Sequence, residues 1–227
     1  MGAKVAVIFL GLCAAYTAGV ATAGLQLFPY PFLEQGFRKL RPYDATATAH
    51  YRDQVEQFSL LKTEPDVVML GDSLTSGGEW AELLGPSVVN RGVAGDTAAG
   101  LLARLDQSVP KSARTALVMI GTNDFGNGAV AKDVEQPYRQ IVARLAPRKV
   151  IVTSTPYSRR WETNREVKAL NKSLAALCAT GACTFVDLNR RIAPNGRIGP
   201  ESSRDGIHLT GAAYAEWVKE IKPLLKP

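Results

Sequence analysis

Short apolar runs alternate with longer amphipathic stretches along most of this 227-residue chain. Five runs have the length and flanking turn residues of buried strands. They begin at Val67, Ser87, Thr115, Lys149 and Thr184. Stretches with apolar residues at helical spacing lie at 45–62, 98–107, 130–145, 164–179 and 211–225. Strands that alternate with helices in this way predict an α/β fold, with a parallel sheet covered by helices on both faces.

The first 31 residues differ in character from the rest of the chain. No charged residue lies between Lys4 and Glu34, and an uncharged span of this length can cross a bilayer. A cleaved signal peptide is the alternative, because Ala21-Thr22-Ala23 has the small-x-small form of a processing site. We therefore expect a signal anchor or signal peptide over 1–31, a tether and leading helix over 32–64, and the main domain over 65–227.

Two features of the sequence indicate different compartments. Lys4 precedes the uncharged span and three basic residues at 38–41 follow it, which by the positive-inside rule would place the domain in the cytoplasm. Cys178 and Cys183 could close a small disulfide, which persists in oxidising compartments, or they could be two small buried side chains. We expect an exported protein, membrane-anchored or periplasmic, with a cytoplasm-facing anchor as the alternative.

The composition and net charge of the chain limit the classes of molecule that it is expected to bind. The chain is 46% hydrophobic and 21% charged, as in a folded globular protein. Its net charge of +6 favours anionic surfaces or substrates, but no basic run interleaved with aromatic residues indicates a nucleic-acid module. There is no HExxH motif and no cysteine-histidine cluster, so we expect neither a metal nor another cofactor.

Small and polar residues follow three of the predicted strands. GDSLTSG begins at Gly71, NRGVAGDT at Asn90 and GTND at Gly121, and a fourth motif, DGIH, occupies 205–208 before the last helix. The carboxyl ends of parallel strands meet at one edge of a sheet, which is where ligands bind in open α/β folds. These motifs should therefore lie together at a functional edge.

Acyl transfer by a serine needs a base, and the base needs an orienting group. The chain has two histidines, and His50 lies at the start of a predicted helix without a suitable carboxylate. His208 follows Asp205 by three positions, so a turn can bring the carboxylate to one ring nitrogen and leave the other for Ser73. The alternative is structural, with Ser73 and Asp205 capping turns or helices.

The reaction also needs donors for the developing oxyanion. The main-chain N–H groups of Ser73 and Gly95 are candidates, since glycine lets the backbone approach a ligand closely. Asn123, two residues beyond Gly121, adds a side-chain amide. An Asx-turn that stabilises its own loop is the alternative role of Asn123.

The four motifs, in this order, resemble the four sequence blocks of the SGNH hydrolases, also called GDSL esterases and lipases. The resemblance runs from Gly71 to His208, and GDSLTSGGEW and DGIHLTGAAYAEW are similar to compact bacterial members and to the platelet-activating-factor-acetylhydrolase-like branch. It implies a flavodoxin-like three-layer fold with five parallel strands in the order 2-1-3-4-5. It also implies Ser73 as nucleophile, His208 as base, Asp205 as orienting acid, and Ser73, Gly95 and Asn123 as oxyanion donors.

Substrate specificity should come from loops at the same edge. Arg159, Arg160 and Trp161 follow the fourth strand and could bind a carboxylated sugar by bidentate bonds and stacking, or form a solvated face. We expect a serine esterase that removes short O-acyl or O-acetyl groups from a carbohydrate or envelope glycan. The alternatives are a lysophospholipase- or thioesterase-type acyl hydrolase, and a membrane-tethered scaffold of the same fold without activity.

Overall fold

The computed structural model describes residues 16–17, 19–20, 43–159 and 161–225, with only the backbone of Trp161. The chain divides between Tyr43 and Asp44, and the folded unit that begins at Asp44 contains the sheet and the helices around it. None of the helices in the described part of the chain is both long and apolar enough to cross a membrane. Apart from four residues, the anchor or signal peptide expected over 1–31 lies outside the described residues and stays a prediction.

Five parallel strands form one sheet in the order β2-β1-β3-β4-β5. The strands are Val67–Gly71 (β1), Val88–Gly92 (β2), Thr115–Met119 (β3), Lys149–Thr153 (β4) and Thr184–Val186 (β5). Gly71 stands opposite Gly92 on one side and Met119 on the other, so β2, β1 and β3 end together. The α/β class and the strand order 2-1-3-4-5 are both confirmed.

Helices precede, connect and follow the strands. They are Ala49–Leu60 (α1), Ser73–Ser76 (α2), Trp80–Leu84 (α3), Ala98–Ala103 (α4), Leu105–Ser108 (α5), Thr122–Gly126 (α6), Ala131–Leu145 (α7), Trp161–Leu177 (α8), Asn189–Ile192 (α9) and Gly211–Ile221 (α10). The continuous helix expected over 98–107 is interrupted at Arg104, where φ is −103° and ψ is 10° and the side chain is buried.

Alternation along the strands sends side chains to two hydrophobic layers. In β1, Val68 and Leu70 pack into the layer under α4, α5, α7 and α8. Val67 and Met69 pack into the opposite layer, under α2, α3, α9 and α10. Buried strands covered on both faces read as continuous apolar runs, which is why the sequence shows them so clearly.

The leading helix α1 packs on the main domain. The hydroxyl of Tyr51 donates to the main-chain oxygen of Gly100 at 2.8 Å. The guanidinium groups of Arg91 and Arg104 lie 5.1 and 5.7 Å from the centre of the Phe58 ring. The compact unit therefore includes the leading helix as well as the sheet.

Cys178 and Cys183 form a disulfide where α8 leads into β5. Gly181, between them, has a φ of +90°, which lets the chain reverse within the five-residue turn Cys178–Ala182. The sequence left open whether these cysteines form a disulfide or are two small buried side chains, and in the structure they form the disulfide. The bond lies at the amino end of β5, away from the edge where the strands end.

Candidate active site

The turn after β1 places Ser73 at the carboxyl edge of the sheet. A Cβ at Gly71 would lie only 2.1 Å from the main-chain oxygen of Met119 and 2.2 Å from Oγ1 of Thr75, so the close packing of α2 on the strand requires glycine. Asp72 caps α2, because its Oδ1 accepts the N–H of Leu74 at 2.9 Å. Ser73 is thus the first residue of α2, with its side chain partly buried.

Side chains from three other elements hold the far end of α2. Asn90 of β2 donates through Nδ2 to three main-chain oxygens there, at 3.0 to 3.1 Å. Trp80 donates through Nε1 to the oxygen of Thr75 at 2.7 Å, and the Tyr214 hydroxyl donates to that of Leu74 at 2.7 Å. A helix leaves its last carbonyls without internal partners, and these bonds satisfy them. The helix, and the serine at its start, are therefore fixed in position.

Ser73, His208 and Asp205 form a line of hydrogen bonds. Oγ of Ser73 lies 3.2 Å from Nε2 of His208, and Nδ1 of His208 lies 2.6 Å from Oδ2 of Asp205. A carboxylate can only accept, so Nδ1 donates to Asp205 and leaves Nε2 to accept the proton of the Ser73 hydroxyl. The structure brings together the three residues that the motifs singled out.

The loop that carries the acid and the base is organised by the Asp205 carboxylate. Its Oδ1 accepts the N–H groups of Ile207 at 2.9 Å and of His208 at 2.8 Å. The hydrogen bond from the His208 ring, with those two N–H groups, holds the pKa of the Asp205 carboxyl well below its usual range. Asp205 and His208 are 54% and 57% exposed, so a bulky substrate can reach them.

Of the candidate oxyanion donors, Gly95 lies on the loop after β2, and Asn123 lies in the first turn of α6, directly after β3, at the same edge of the sheet as Ser73. Gly95 has a φ of +80°, a conformation that favours glycine. Asn123 donates through Nδ2 to the main-chain oxygen of Asp96 at 2.9 Å, and the carboxylate of Asp124 accepts the N–H of Ala98 at 3.1 Å. These two hydrogen bonds connect the segment after β2, which includes Gly95, to α6, which includes Asn123.

A buried ion pair between Arg104 and Asp96 stabilises the loop that carries Gly95. Nε of Arg104 lies 2.7 Å from Oδ2 of Asp96, and both side chains are fully buried. The same guanidinium donates to the main-chain oxygens of Arg91 at 2.8 Å and Gly71 at 3.0 Å. Arg104 therefore ties the ends of β1 and β2 to the loop of Gly95. This residue was missed from the sequence, because no motif distinguishes Arg104 from a surface arginine.

Asp72, like Asp96, is a fully buried acid near the site, and its burial was not predicted from the sequence. Its Oδ2 faces the Thr122 hydroxyl without a well-formed hydrogen bond among the described residues. Burial, together with smaller contributions from the nearby carboxylates of Asp96 and Asp124, raises the pKa of Asp72 to about 7, although the hydrogen bond from Leu74 N–H opposes this shift. Burial likewise raises the pKa of Asp124 to about 6. Next to the serine, one carboxyl group thus titrates near neutral pH.

The structure accounts for part of the expected substrate-binding cluster. The N–H of Arg159 donates to the oxygen of Gly206 at 2.8 Å, and its Nη2 donates to those of Ser203 at 3.0 Å and Arg204 at 3.1 Å. Arg160 and the side chain of Trp161 lie outside the described residues. A substrate-binding role for these three residues stays a prediction.

The family model of GDSL-like lipases and acylhydrolases matches residues 69–216, which include all four motifs. The chain belongs to the GDSL-like lipase/acylhydrolase family. Members of this family are serine ester hydrolases. The resemblance stated from the four motifs is confirmed.

Two curated relatives illustrate the range of proteins that this GDSL hydrolase is similar to. It is 30% identical to the platelet-activating factor acetylhydrolase IB subunit alpha2 of Gallus gallus over 175 residues, 71% of this chain and 76% of that protein. It is 26% identical to the N-acylneuraminate cytidylyltransferase of Streptococcus agalactiae over 176 residues, 73% of this chain. The match spans 41% of the cytidylyltransferase, less than half of its length.

Solved structures share the fold of the GDSL hydrolase. A GDSL-like lipase from Bacteroides thetaiotaomicron superposes with a TM-score of 0.68 at 22% identity, covering 78% of this chain and 97% of that one. A lipase/acylhydrolase from Enterococcus faecalis gives a TM-score of 0.61 at 25% identity, covering 72% of this chain and 98% of that one. These similarities agree with a parallel sheet between two helical layers.

Proposed function

We propose that this protein is a serine ester hydrolase. Ser73 is the nucleophile, His208 is the general base, and Asp205 orients and stabilises the imidazole. One observation carries the assignment: the continuous line of hydrogen bonds from Ser73 Oγ through the His208 ring to Asp205, at 3.2 and 2.6 Å. A nucleophile within reach of a base, with the base oriented by a third group, is the arrangement that activates a serine.

The proposed cycle has two halves. Oγ of Ser73 attacks the ester carbonyl while Nε2 of His208 takes its proton, and His208 then gives that proton to the leaving alcohol. The oxyanion accepts hydrogen bonds from the N–H groups of Ser73 and Gly95 and from Nδ2 of Asn123. Water, deprotonated by His208, then attacks the acyl group on Ser73, and the proton returns to Oγ as the carboxylic acid leaves.

Labelling with a fluorophosphonate probe tests this assignment. We expect one adduct on Ser73, and Ser73→Ala should neither react with the probe nor hydrolyse p-nitrophenyl acetate. Ser76→Ala is the matched control, because Ser76 is an exposed serine of the same short helix. Hydrolysis by Ser73→Ala at near wild-type rate would reject the assignment. An unreactive wild-type protein would instead support the inactive scaffold.

For the substrate, we propose a short O-acyl group, such as acetyl, on a carbohydrate or envelope glycan. The exposure of Asp205 and His208 supports a bulky acceptor, since the catalytic line is open to solvent. The similarity to an acetylhydrolase at 30% identity supports a short acyl group. The same similarity favours a second candidate, a lysophospholipase-type acyl hydrolase, because the relative's name specifies platelet-activating factor.

Two assays separate the candidates. Rates with p-nitrophenyl acetate, octanoate and palmitate give the preference for acyl length, which we expect to fall from acetate to palmitate. Acetate release is then compared between an O-acetylated polysaccharide and an acetylated glycerophospholipid. A preference for palmitate contradicts the proposal of a short acyl group, and release from the phospholipid alone favours the second candidate.

We also propose that the protein is exported and remains attached to the membrane through its first 31 residues. The uncharged stretch between Lys4 and Glu34 and the disulfide between Cys178 and Cys183 support this location. The basic residues at 38–41 favour the opposite orientation. Alkaline phosphatase fused after Pro227 tests the topology, because it is active only outside the cytoplasm, and an inactive fusion would contradict export.

A further inference from the structure

Arg159, which lies in the loop after β4, holds the loop that carries Asp205 and His208. Its Nη2 donates to the main-chain oxygens of Ser203 at 3.0 Å and Arg204 at 3.1 Å, the two residues before Asp205. Its main-chain N–H donates to the oxygen of Gly206, the residue after Asp205, at 2.8 Å. One residue therefore binds the chain on both sides of the catalytic acid.

The contact between the two loops is close as well as hydrogen-bonded. A Cβ at Gly206 would lie 2.5 Å from Cβ of Arg159, and Gly206 has a φ of +90°, so the approach requires glycine there. Within the loop, Oγ of Ser203 accepts the N–H of Gly206 at 2.9 Å and donates to Oδ1 of Asp205 at 3.1 Å. These short contacts therefore couple the position of the Asp205 carboxylate to that of Arg159.

The charge of Arg159 has no acidic partner in residues 43–159 and 161–225, where no carboxylate lies within ion-pair distance of it. Its guanidinium is used on main-chain oxygens, and hydrogen bonds from a charged donor are stronger than neutral ones. Both bonds come from one nitrogen, Nη2, whose two hydrogens have fixed directions in the planar guanidinium, whereas a lysine ammonium is a freely rotating point charge.

We propose that Arg159 is a positioning residue for the acid–base loop: it keeps Nε2 of His208 within reach of Oγ of Ser73. The proposal rests on the proposed roles of Ser73, Asp205 and His208. Proton transfer depends steeply on this geometry, and a displacement of about 1 Å can cost roughly 100-fold in rate. Arg159 then acts on kcat through the loop, in contrast to the anion-binding role that the sequence first indicated.

Two substrates distinguish positioning from anion binding. p-Nitrophenyl acetate is neutral, and mono-p-nitrophenyl succinate carries a carboxylate with the same leaving group. For Arg159→Ala we expect kcat to fall roughly 10- to 100-fold for both esters with little change in KM. Arg159→Lys should recover only part of kcat. A loss confined to KM for the succinate ester, or an unchanged kcat, would overturn the proposal.

Chemical rescue adds a readout that lost stability alone would not give. Guanidinium chloride, kept well below denaturing concentrations, should restore part of the kcat of Arg159→Ala and leave the wild-type protein unaffected. Arg197→Ala is the matched control: its side chain is exposed outside this loop, and the variant should hydrolyse p-nitrophenyl acetate as the wild-type protein does. If Arg159→Ala does not fold, Arg159→Lys is measured alone. A wild-type kcat in that variant contradicts the need for a guanidinium at position 159.

The rate of fluorophosphonate labelling separates this proposal from the proposed function. A wild-type protein that does not label at Ser73 contradicts the catalytic assignment itself. A wild-type protein that labels, together with Arg159→Ala labelling at the same rate, contradicts only the positioning role. Slower labelling of Arg159→Ala, in proportion to its loss of kcat, is the expected result.

Discussion

Nδ2 of Asn123 donates a hydrogen bond to the main-chain oxygen of Asp96 at 2.9 Å, which joins the loop after β3 to the loop after β2. An amide nitrogen carries two hydrogens, so the second can point to a developing oxyanion. Gly95 directly precedes Asp96, and the two proposed donors are therefore held relative to each other before substrate binds. Such preorganisation is what makes hydrogen-bond donors effective in catalysis.

Asn123→Ala should lower kcat for p-nitrophenyl acetate on the order of 100- to 1000-fold, with a small change in KM, because it removes one oxyanion donor. Steady-state kinetics of the purified variant measures this. Exposed Asn195 provides a control, and Asn195→Ala should keep wild-type kinetics. A change in KM alone, or a loss below about 10-fold, would argue against a donor role for Asn123.

Asp205→Asn should lower kcat by roughly 10⁴-fold, since an amide cannot stabilise the imidazolium and can favour the wrong tautomer. The variant keeps an oxygen that can accept the N–H groups of Ile207 and His208, so the fold of the loop should survive. Because the carboxyl pKa is held well below its usual range, the wild-type carboxylate stays ionised across ordinary assay conditions. Loss of wild-type activity with an apparent pKa near 4 would contradict this and indicate protonation of Asp205.

Asp72→Asn should remove part of the pH dependence of stability. In the folded protein the pKa of Asp72 is raised from 3.8 to about 7, so the folded state keeps its proton where the unfolded chain has lost it. Stability from this group is therefore lost as pH rises from about 4 to about 7. Relative to wild type, the variant should gain on the order of 2 to 4 kcal/mol in unfolding free energy between these limits.

Urea unfolding of both proteins at about pH 4.5 and pH 8 measures that difference. Asp124, with its pKa raised to about 6, contributes the same trend to both proteins, apart from its electrostatic coupling to Asp72. Parallel pH profiles for the wild-type protein and Asp72→Asn would show that Asp72 is already ionised in the folded state.

The double variant Cys178→Ser and Cys183→Ser should unfold more readily but remain active. A loop closed by residues five positions apart stabilises a protein by about 2 kcal/mol in the chain-entropy treatment, or roughly 4 to 8 °C in Tm. Activity should stay within about 2-fold, because the bond lies at the opposite edge of the sheet from Ser73. A reducing agent should lower the Tm of the wild-type protein and leave the double variant unchanged; equal effects on both would contradict the bond.

The sheet could be predicted from sequence because its strands are buried on both faces and read as plain apolar runs. The short helices α2, α3, α6 and α9 could not, since four or five residues do not show a helical period. The expected helix over 98–107 ends early at Arg104. Its side chain bonds to oxygens of two strands, and a pattern of apolar spacing contains no information about such partners.

The same distinction applies to the site. Ser73, Asp205 and His208 could be named because their motifs are local and their chemistry limits the choices to two histidines. The contacts of Arg159 could not be predicted, because its partners are 44 and 45 positions away and are main-chain atoms without a sequence signal. From its charge, the sequence left open an anion-binding role or a solvated face for Arg159, and the substrate-binding role stays a prediction.

The two links of the catalytic line differ greatly in span. Asp205 and His208 are three positions apart, whereas Ser73 and His208 are 135 apart. Asp205 and His208 therefore form a local unit whose internal geometry is set by a few consecutive peptide units. To transfer this chemistry to another sheet of the same topology, an engineer would have to fit only one long-range distance, from this unit to the turn that carries the serine.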